Sequence, residues 1–191
     1  DLSNLNRQIL HTDRDVGKKK TVSAIAKLRG YNPDITVNAI DTAITADNVS
    51  DLVGRADGIV DAMDNFPTRY LLNGTAIEKK IPLFHGAIRG LYGQATTILP
   101  GRTPCLACIF PKAPPKEVFP VVGATPGVIG TVQATEVIKY LTKGGGLLAG
   151  RLLIWDGQEA HAEELAVERN PACPVCGGTV TKRGTSVRKK R

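Results

Sequence analysis

The sequence predicts an α/β domain whose sheet is parallel in its first part and mixed or antiparallel in its second. Three observations carry that prediction. Strand-like and helix-like periodicities alternate in the first half of the chain. The second half is richer in strand patterns, so a parallel sheet should give way to antiparallel pairs. Two Cys-x-x-Cys pairs, Cys105-Leu-Ala-Cys108 and Cys173-Pro-Val-Cys176, use all four cysteines and can staple a mid-chain loop to the end of the domain.

Taken in order, Val16 to Leu28 reads as an amphipathic helix with Val22, Ile25, Ala26 and Leu28 on its apolar side, ended by Gly30 and Asn32-Pro33. Ile35 to Ile40 alternates apolar and polar residues and predicts a strand. Asp47 to Val53 is a short helix with Asp47 as its cap. Gly58-Ile-Val-Asp-Ala is a buried strand, followed at its carboxyl end by Asp64-Asn65. Pro67 suits a helix start, and that helix runs to about Lys79. Pro82–Ile88 and Tyr92–Leu99 form a pair of strands around Arg89-Gly90. Residues 100–126 hold seven of the twelve prolines and predict a long crossing loop with neither helix nor central strand. Pro126 opens a helix over Gly127–Leu141, with Val128, Ile129, Val132, Val137, Ile138 and Leu141 apolar, which Gly144-Gly-Gly stops. Arg151–Trp155 and His161–Val167 are late strands.

The length of 191 residues fits one domain, read as residues 1–178 with a basic tail over 179–191. The formal charge of +7 belongs mostly to that tail. It holds six Lys or Arg and no acid, leaving 19 basic against 18 acidic residues elsewhere. A nearly neutral body argues against a nucleic-acid binder, and the tail reads as a solvated, disordered end to which no function is assigned. The sequence contains no apolar run of spanning length and no signal-peptide pattern. A cytoplasmic location is therefore expected, and no membrane partner. In that compartment paired cysteines favour a metal over disulfides. A two-residue spacer lets both thiolates of a pair reach one tetrahedral ion, so Cys105, Cys108, Cys173 and Cys176 read as a structural zinc shell with no open position for substrate.

Three further clusters carry polar chemistry. Ser3-Asn-Leu-Asn-Arg-Gln8 and Val16-Gly-Lys-Lys-Lys20 offer amide, guanidinium and ammonium donors suited to polyphosphate, or merely a solvated charged stretch. Asp64 follows a buried strand at the sheet end where ligands of open α/β sheets bind; it can hold Mg²⁺ or cap the next helix. Arg69 is either a surface charge or a partner for Asp61. Gly123-Ala-Thr-Pro-Gly127 precedes a helix and reads as a plain loop-to-helix entry rather than an anion site.

The ordered set Ser-Asn-Leu-Asn-Arg-Gln, Val-Gly-x-x-Lys, Asp-Asn-x-x-x-Arg, Cys-x-x-Cys, Pro-Gly-Val-Ile-Gly-x-x-Gln-Ala-x-Glu and Arg-Asn-Pro-x-Cys-x-x-Cys resembles the ThiF/MoeB/HesA adenylyltransferases, prokaryotic relatives of ubiquitin-activating enzymes. The resemblance covers residues 1 to about 178. It implies a Rossmann-like sheet and a homodimer. It also implies ATP-dependent adenylation of the C-terminal glycine of a ubiquitin-like sulfur-carrier protein ending in Gly-Gly. Asn4, Arg7 and Lys20 would contact the triphosphate, with Gln8 beside them; Asp64 would hold the magnesium and Asn65 would line the nucleotide site. Arg7, Lys20 and Asp64 are the implied catalytic residues.

The chain departs from the family in two ways. No Gly-x-Gly-x-x-Gly occurs in it, so the resemblance implies that the family's N-terminal glycine-rich βαβ unit is missing here, with its ribose-binding acid and its cross-dimer arginine. The stretch before the Pro126 helix also lacks the further cysteine that many relatives carry, which implies adenylation without a covalent thioester. The first departure keeps a second reading open, a non-catalytic, zinc-stabilised module that docks the carrier. It also argues against a dinucleotide oxidoreductase.

Overall fold

Residues 1–115 and 119–178 are described by the structure, a computed structural model. The basic tail lies outside them. Two single turns of 3-10 helix, Leu2–Asn4 and Asp13–Asp15, open the chain. Thr12 caps the second, its N–H and its hydroxyl both donating to Asp15 Oδ2 at 2.9 Å. Gly17 then turns the backbone at a φ of 84°. That left-handed residue delays helix α1 to Lys20–Tyr31 instead of Val16–Leu28. The helix passes through Gly30 and ends where Pro33 forces Asn32 to be extended. Of its expected apolar side, Val22 is exposed; the residue that α1 buries is Ser23.

The predicted strand Ile35–Ile40 does not form. Alternation gives a segment two faces, but a strand exists only in a ladder, and no described segment pairs with this one. Ile35 and Ile40 stay exposed. Helix α2, Val49–Val53, follows Asn48 rather than Asp47 at its start, and Asn48 Oδ1 accepts the Thr45 N–H at 2.8 Å.

Strand β1, Ile59–Asp61, crosses through helix α3, Phe66–Lys79, to the parallel strand β2, Leu83–Arg89. Strand β3, Tyr92–Ile98, returns antiparallel around Gly90. The proline-rich loop contains one helical turn, α4, Leu106–Ile109, in a proline-free stretch that starts after Cys105 and includes Cys108. Helix α5, Ala124–Thr142, leads to the antiparallel hairpin β4, Arg151–Asp156, and β5, His161–Ala166. The five strands lie in the order β1-β2-β3-β4-β5. Among the five described strands only β1 and β2 pair in parallel, so the sheet is less parallel than expected. The short β2–β3 and β4–β5 connections permit only antiparallel neighbours. No described helix is long and apolar enough to cross a membrane.

The core divides between the two sheet faces. On the α3 face Ile59, Leu72, Ala76, Leu83 and Ile98 pack with Leu106 and three of the cysteines. On the other, Ile129 of α5 packs with Ala95 and Leu148. Helix α5 buries Thr125, Ile129, Gln133 and Glu136, while Val128, Ile138 and Leu141 of the expected apolar set remain exposed. The buried polar pair is chosen by the backbone it satisfies. Gln133 Nε2 donates to the carbonyls of Asp61 and Phe84 at 2.8 and 2.9 Å. Glu136 Oε2 accepts from Thr97 Oγ1 and the Leu148 N–H at 2.6 and 2.7 Å. Gly86 lets α5 approach, since a Cβ there would lie 2.5 Å from the Gln133 amide.

Candidate active site

The turn after β1 is fixed from both sides. Asp61, the last residue of β1, is fully buried; its Oδ1 accepts the Met63 N–H at 3.0 Å. Arg69, one turn into α3 and 6% exposed, reaches back: Nε donates to the Met63 carbonyl at 3.1 Å, Nη2 donates to the same oxygen, and Nη2 also meets the Gly86 carbonyl at 3.3 Å. Arg69 Nε stands 3.6 Å from Asp61 Oδ2, so it is the partner of Asp61 and not a surface charge. Burial lowers the pKa of Arg69, and the carboxylates of Asp61 and Asp64 oppose that shift.

Both backbone groups of Met63 are thus held, which sets the residue that follows. Asp64 is exposed at the carboxyl end of β1. The role of helix cap falls to its neighbour: Asn65 Oδ1 accepts the Thr68 N–H at 2.9 Å, and Asn65 Nδ2 donates to Asp64 Oδ1 at 3.2 Å. An exposed carboxylate on a rigid turn, relieved of capping, is free to take a cation.

The amino-terminal donors reach the same end of the sheet. Arg7 is half-buried, its Nη2 donating to Asn4 Oδ1 at 2.8 Å and its Nη1 to the Ser3 carbonyl and Asn6 Oδ1 at 3.1 and 2.9 Å. Asn6 Nδ2 in turn donates to the Val121 carbonyl at 2.8 Å, and Val121 bridges Gly90 at the end of β2. Because β1 and β2 are parallel, that is also the end carrying Asp64. Gly123 allows this docking, since a Cβ there would fall 1.9 Å from the Asn6 carbonyl oxygen, so the glycine-rich turn has a packing role. Gln8 and Lys20 line a shallow cleft with His11, Asp15 and Ser23. Lys20 is exposed at the first position of α1. Lys27 and the cap of Thr12 hold the Asp15 carboxyl well below the usual range, which anchors α1 to the cleft. Among the described residues, no hydrogen bond or ion pair links Asp64 directly to Arg7 or Lys20.

The four cysteines meet across the chain. Their sulfurs all lie within 4.8 Å of one another, with Cys105–Cys108, Cys105–Cys173 and Cys108–Cys176 at 3.9, 3.7 and 3.4 Å. Bonds of about 2.3 Å from one tetrahedral ion to each sulfur require edges of about 3.8 Å, so the set fits zinc and is too open for disulfides. Burial pushes the Cys105 and Cys108 thiols up. Burial also opposes ionisation of Cys173, but the N–H groups of Cys176 and Val175 and the neighbouring thiols bring it down to about 7. Helix α3 grips this loop: Asn73 Oδ1 accepts the Leu106 N–H at 2.9 Å, and Tyr70 Oη donates to the Phe110 carbonyl at 2.7 Å.

Sequence patterning offers Asp61 only as a partner for Arg69, gives His85 no evident catalytic setting, and shows Gln133 only as part of the Pro-Gly-Val-Ile-Gly-x-x-Gln motif. A histidine inside the otherwise apolar run Pro82–Ile88 was the available signal.

The described site thus consists of a sheet-end carboxylate on a braced turn, cationic and amide donors docked at the same end of the sheet, and a separate thiol cluster. The ThiF family matches residues 1–175, and the chain belongs to that family. It is 46% identical over 181 residues to the SAMP-activating enzyme E1 of Haloferax volcanii, covering 92% of this chain and 67% of that protein. It is 41% identical over 194 residues to a sulfur carrier protein adenylyltransferase of Thermus thermophilus, covering 96% and 72%. Its fold matches that of E. coli MccB solved with MccA-N7isoASN at a TM-score of 0.81 and 23% identity, covering 93% of this chain and 56% of that one.

Proposed function

We propose that residues 1–178 act in ATP-dependent adenylation of the C-terminal glycine of a ubiquitin-like sulfur-carrier protein. Similarity to a sulfur carrier protein adenylyltransferase over 96% of the chain supports this reading. The observation that carries it is Asp64, exposed and cap-free on a braced turn. In the reaction a carboxylate oxygen of the carrier's terminal glycine bonds to the α-phosphorus of ATP. The bond from that phosphorus to the bridging oxygen breaks, and pyrophosphate leaves with the electron pair. The nucleophile is already ionised near neutral pH, so no general base is needed.

Two anions must approach each other, and the residues answer that repulsion. Arg7, steadied by Asn4, presents a guanidinium to the triphosphate; Lys20 adds a mobile point charge, with Gln8 beside it. Asp64 would hold Mg²⁺, with Asn65 orienting its carboxylate. When bound, Mg²⁺ supplies positive charge to the phosphates. Cys105, Cys108, Cys173 and Cys176 would hold a structural zinc ion. We place the domain in the cytoplasm as a homodimer.

The test is ATP–pyrophosphate exchange by the intact gene product with a Gly-Gly-ended carrier. Asp64→Ala should abolish exchange while the melting curve stays unchanged; exchange at the parent rate would refute the role of Asp64. A second reading, a zinc-stabilised docking module without turnover, draws on the lack of a Gly-x-Gly-x-x-Gly motif in these 191 residues. It predicts carrier binding with no exchange at all.

A further inference from the structure

We propose that His85 is a positioning residue for the Asp64 turn, acting through the buried carboxylate of Asp61. This rests on the reading of Asp64 as the cation ligand. His85 and Asp61 are neighbours in the parallel register of β2 and β1, and both are 0% exposed. His85 Nδ1 lies 2.7 Å from Asp61 Oδ2, and its Nε2 lies 3.3 Å from Gln94 Nε2. A carboxylate must receive a proton and an amide nitrogen must give one, so the ring is neutral with its proton on Nδ1. Burial also disfavours the charged ring, outweighing the pull of Asp61.

The carboxylate so held has one oxygen for His85 and the other for the Met63 N–H. Remove the imidazole donor and, among the described residues, Oδ2 has only Arg69 within reach, at 3.6 Å. The carboxylate would then rotate toward the guanidinium, releasing the Met63 N–H and competing with the Met63 carbonyl for Arg69. Both groups bracing Asp64 would loosen together. Phe110, just beyond Cys108, packs near both the His85 ring and Phe66 at the start of α3, with centroids 6.2 and 5.7 Å apart, so the ring has little room to find another partner. The arrangement is an outer-shell device: a group that never meets the cation fixes the one that does.

The experiment measures Mn²⁺ affinity, by electron paramagnetic resonance with ATP present, for the intact gene product and three variants. Asp64→Ala should lose the nucleotide-dependent site. His85→Phe keeps an aromatic ring but no donor and should weaken Mn²⁺ by about tenfold or more. His85→Asn places an amide N–H where Nδ1 stood and should recover most of that affinity. If Asp64→Ala removes the site while His85→Phe binds as the parent does, the positioning role is wrong and the reading of Asp64 survives. If Asp64→Ala binds normally, the reading of Asp64 fails. Should His85→Phe not fold, ¹⁵N spectra of the parent decide: a neutral ring protonated on Nδ1 supports the role, and an Nε2-protonated ring overturns it.

Discussion

Asp61 and Asp64 stand three residues apart and meet opposite fates. Strand β1 drives Asp61 into the α3 face, where His85 and Arg69 surround it, and leaves Asp64 in solvent beyond the strand. The consequences of substitution should separate accordingly. Asp61→Ala strands a buried guanidinium and should destabilise the fold by about 3 kcal/mol or more. Asp64→Ala should change stability by less than about 0.5 kcal/mol. Urea unfolding of both variants checks this, and equal losses would show that the Asp64 turn is structural. The spacing Asp-Asn-x-x-x-Arg made Asp64 visible as a site residue. It did not say which acid would be buried, because that depends on α3 and β2 arriving from elsewhere in the chain.

At the scale of elements, α3 connects the two halves of the design. Its first turn carries Asn65 and Arg69 against the Asp64 turn, and its middle holds the cysteine loop through Tyr70 and Asn73. The thiol cluster therefore braces the helix that braces the site. Cys105→Ser should release zinc, measured by metal analysis, and lower the melting temperature sharply, since structural zinc contributes on the order of 10 kcal/mol in small domains. A full metal complement with an unchanged melting curve would remove zinc from the account. The Cys-x-x-Cys spacing gave this cluster away because two thiols on one short turn are neighbours whatever the tertiary fold. Helix α5 was legible as a helix but not in its orientation. Its buried stripe carries Gln133, which donates to carbonyls of β1 and β2, while Ile138 and Leu141 stay exposed.

At the scale of the whole molecule, all four cysteines of these 191 residues converge on one point, and with zinc bound none of the four would be left for acyl transfer. The intact gene product, incubated with ATP and a Gly-Gly-ended carrier, should form acyl-adenylate and no thioester on Cys105, Cys108, Cys173 or Cys176. A thiol-sensitive adduct mapped by mass spectrometry to any of those four would contradict that expectation. By itself the sequence determined the late strands, the β2–β3 pair, the helix starting near Pro67, the family motifs and the thiol set. Each of these is written in contiguous residues or in fixed covalent spacing. Only the tertiary structure decided that Ile35–Ile40 is no strand, that the sheet is mostly antiparallel, and that His85 closes on Asp61. Pairing and burial need a second segment at the right distance, and a sequence pattern cannot supply the partner it requires.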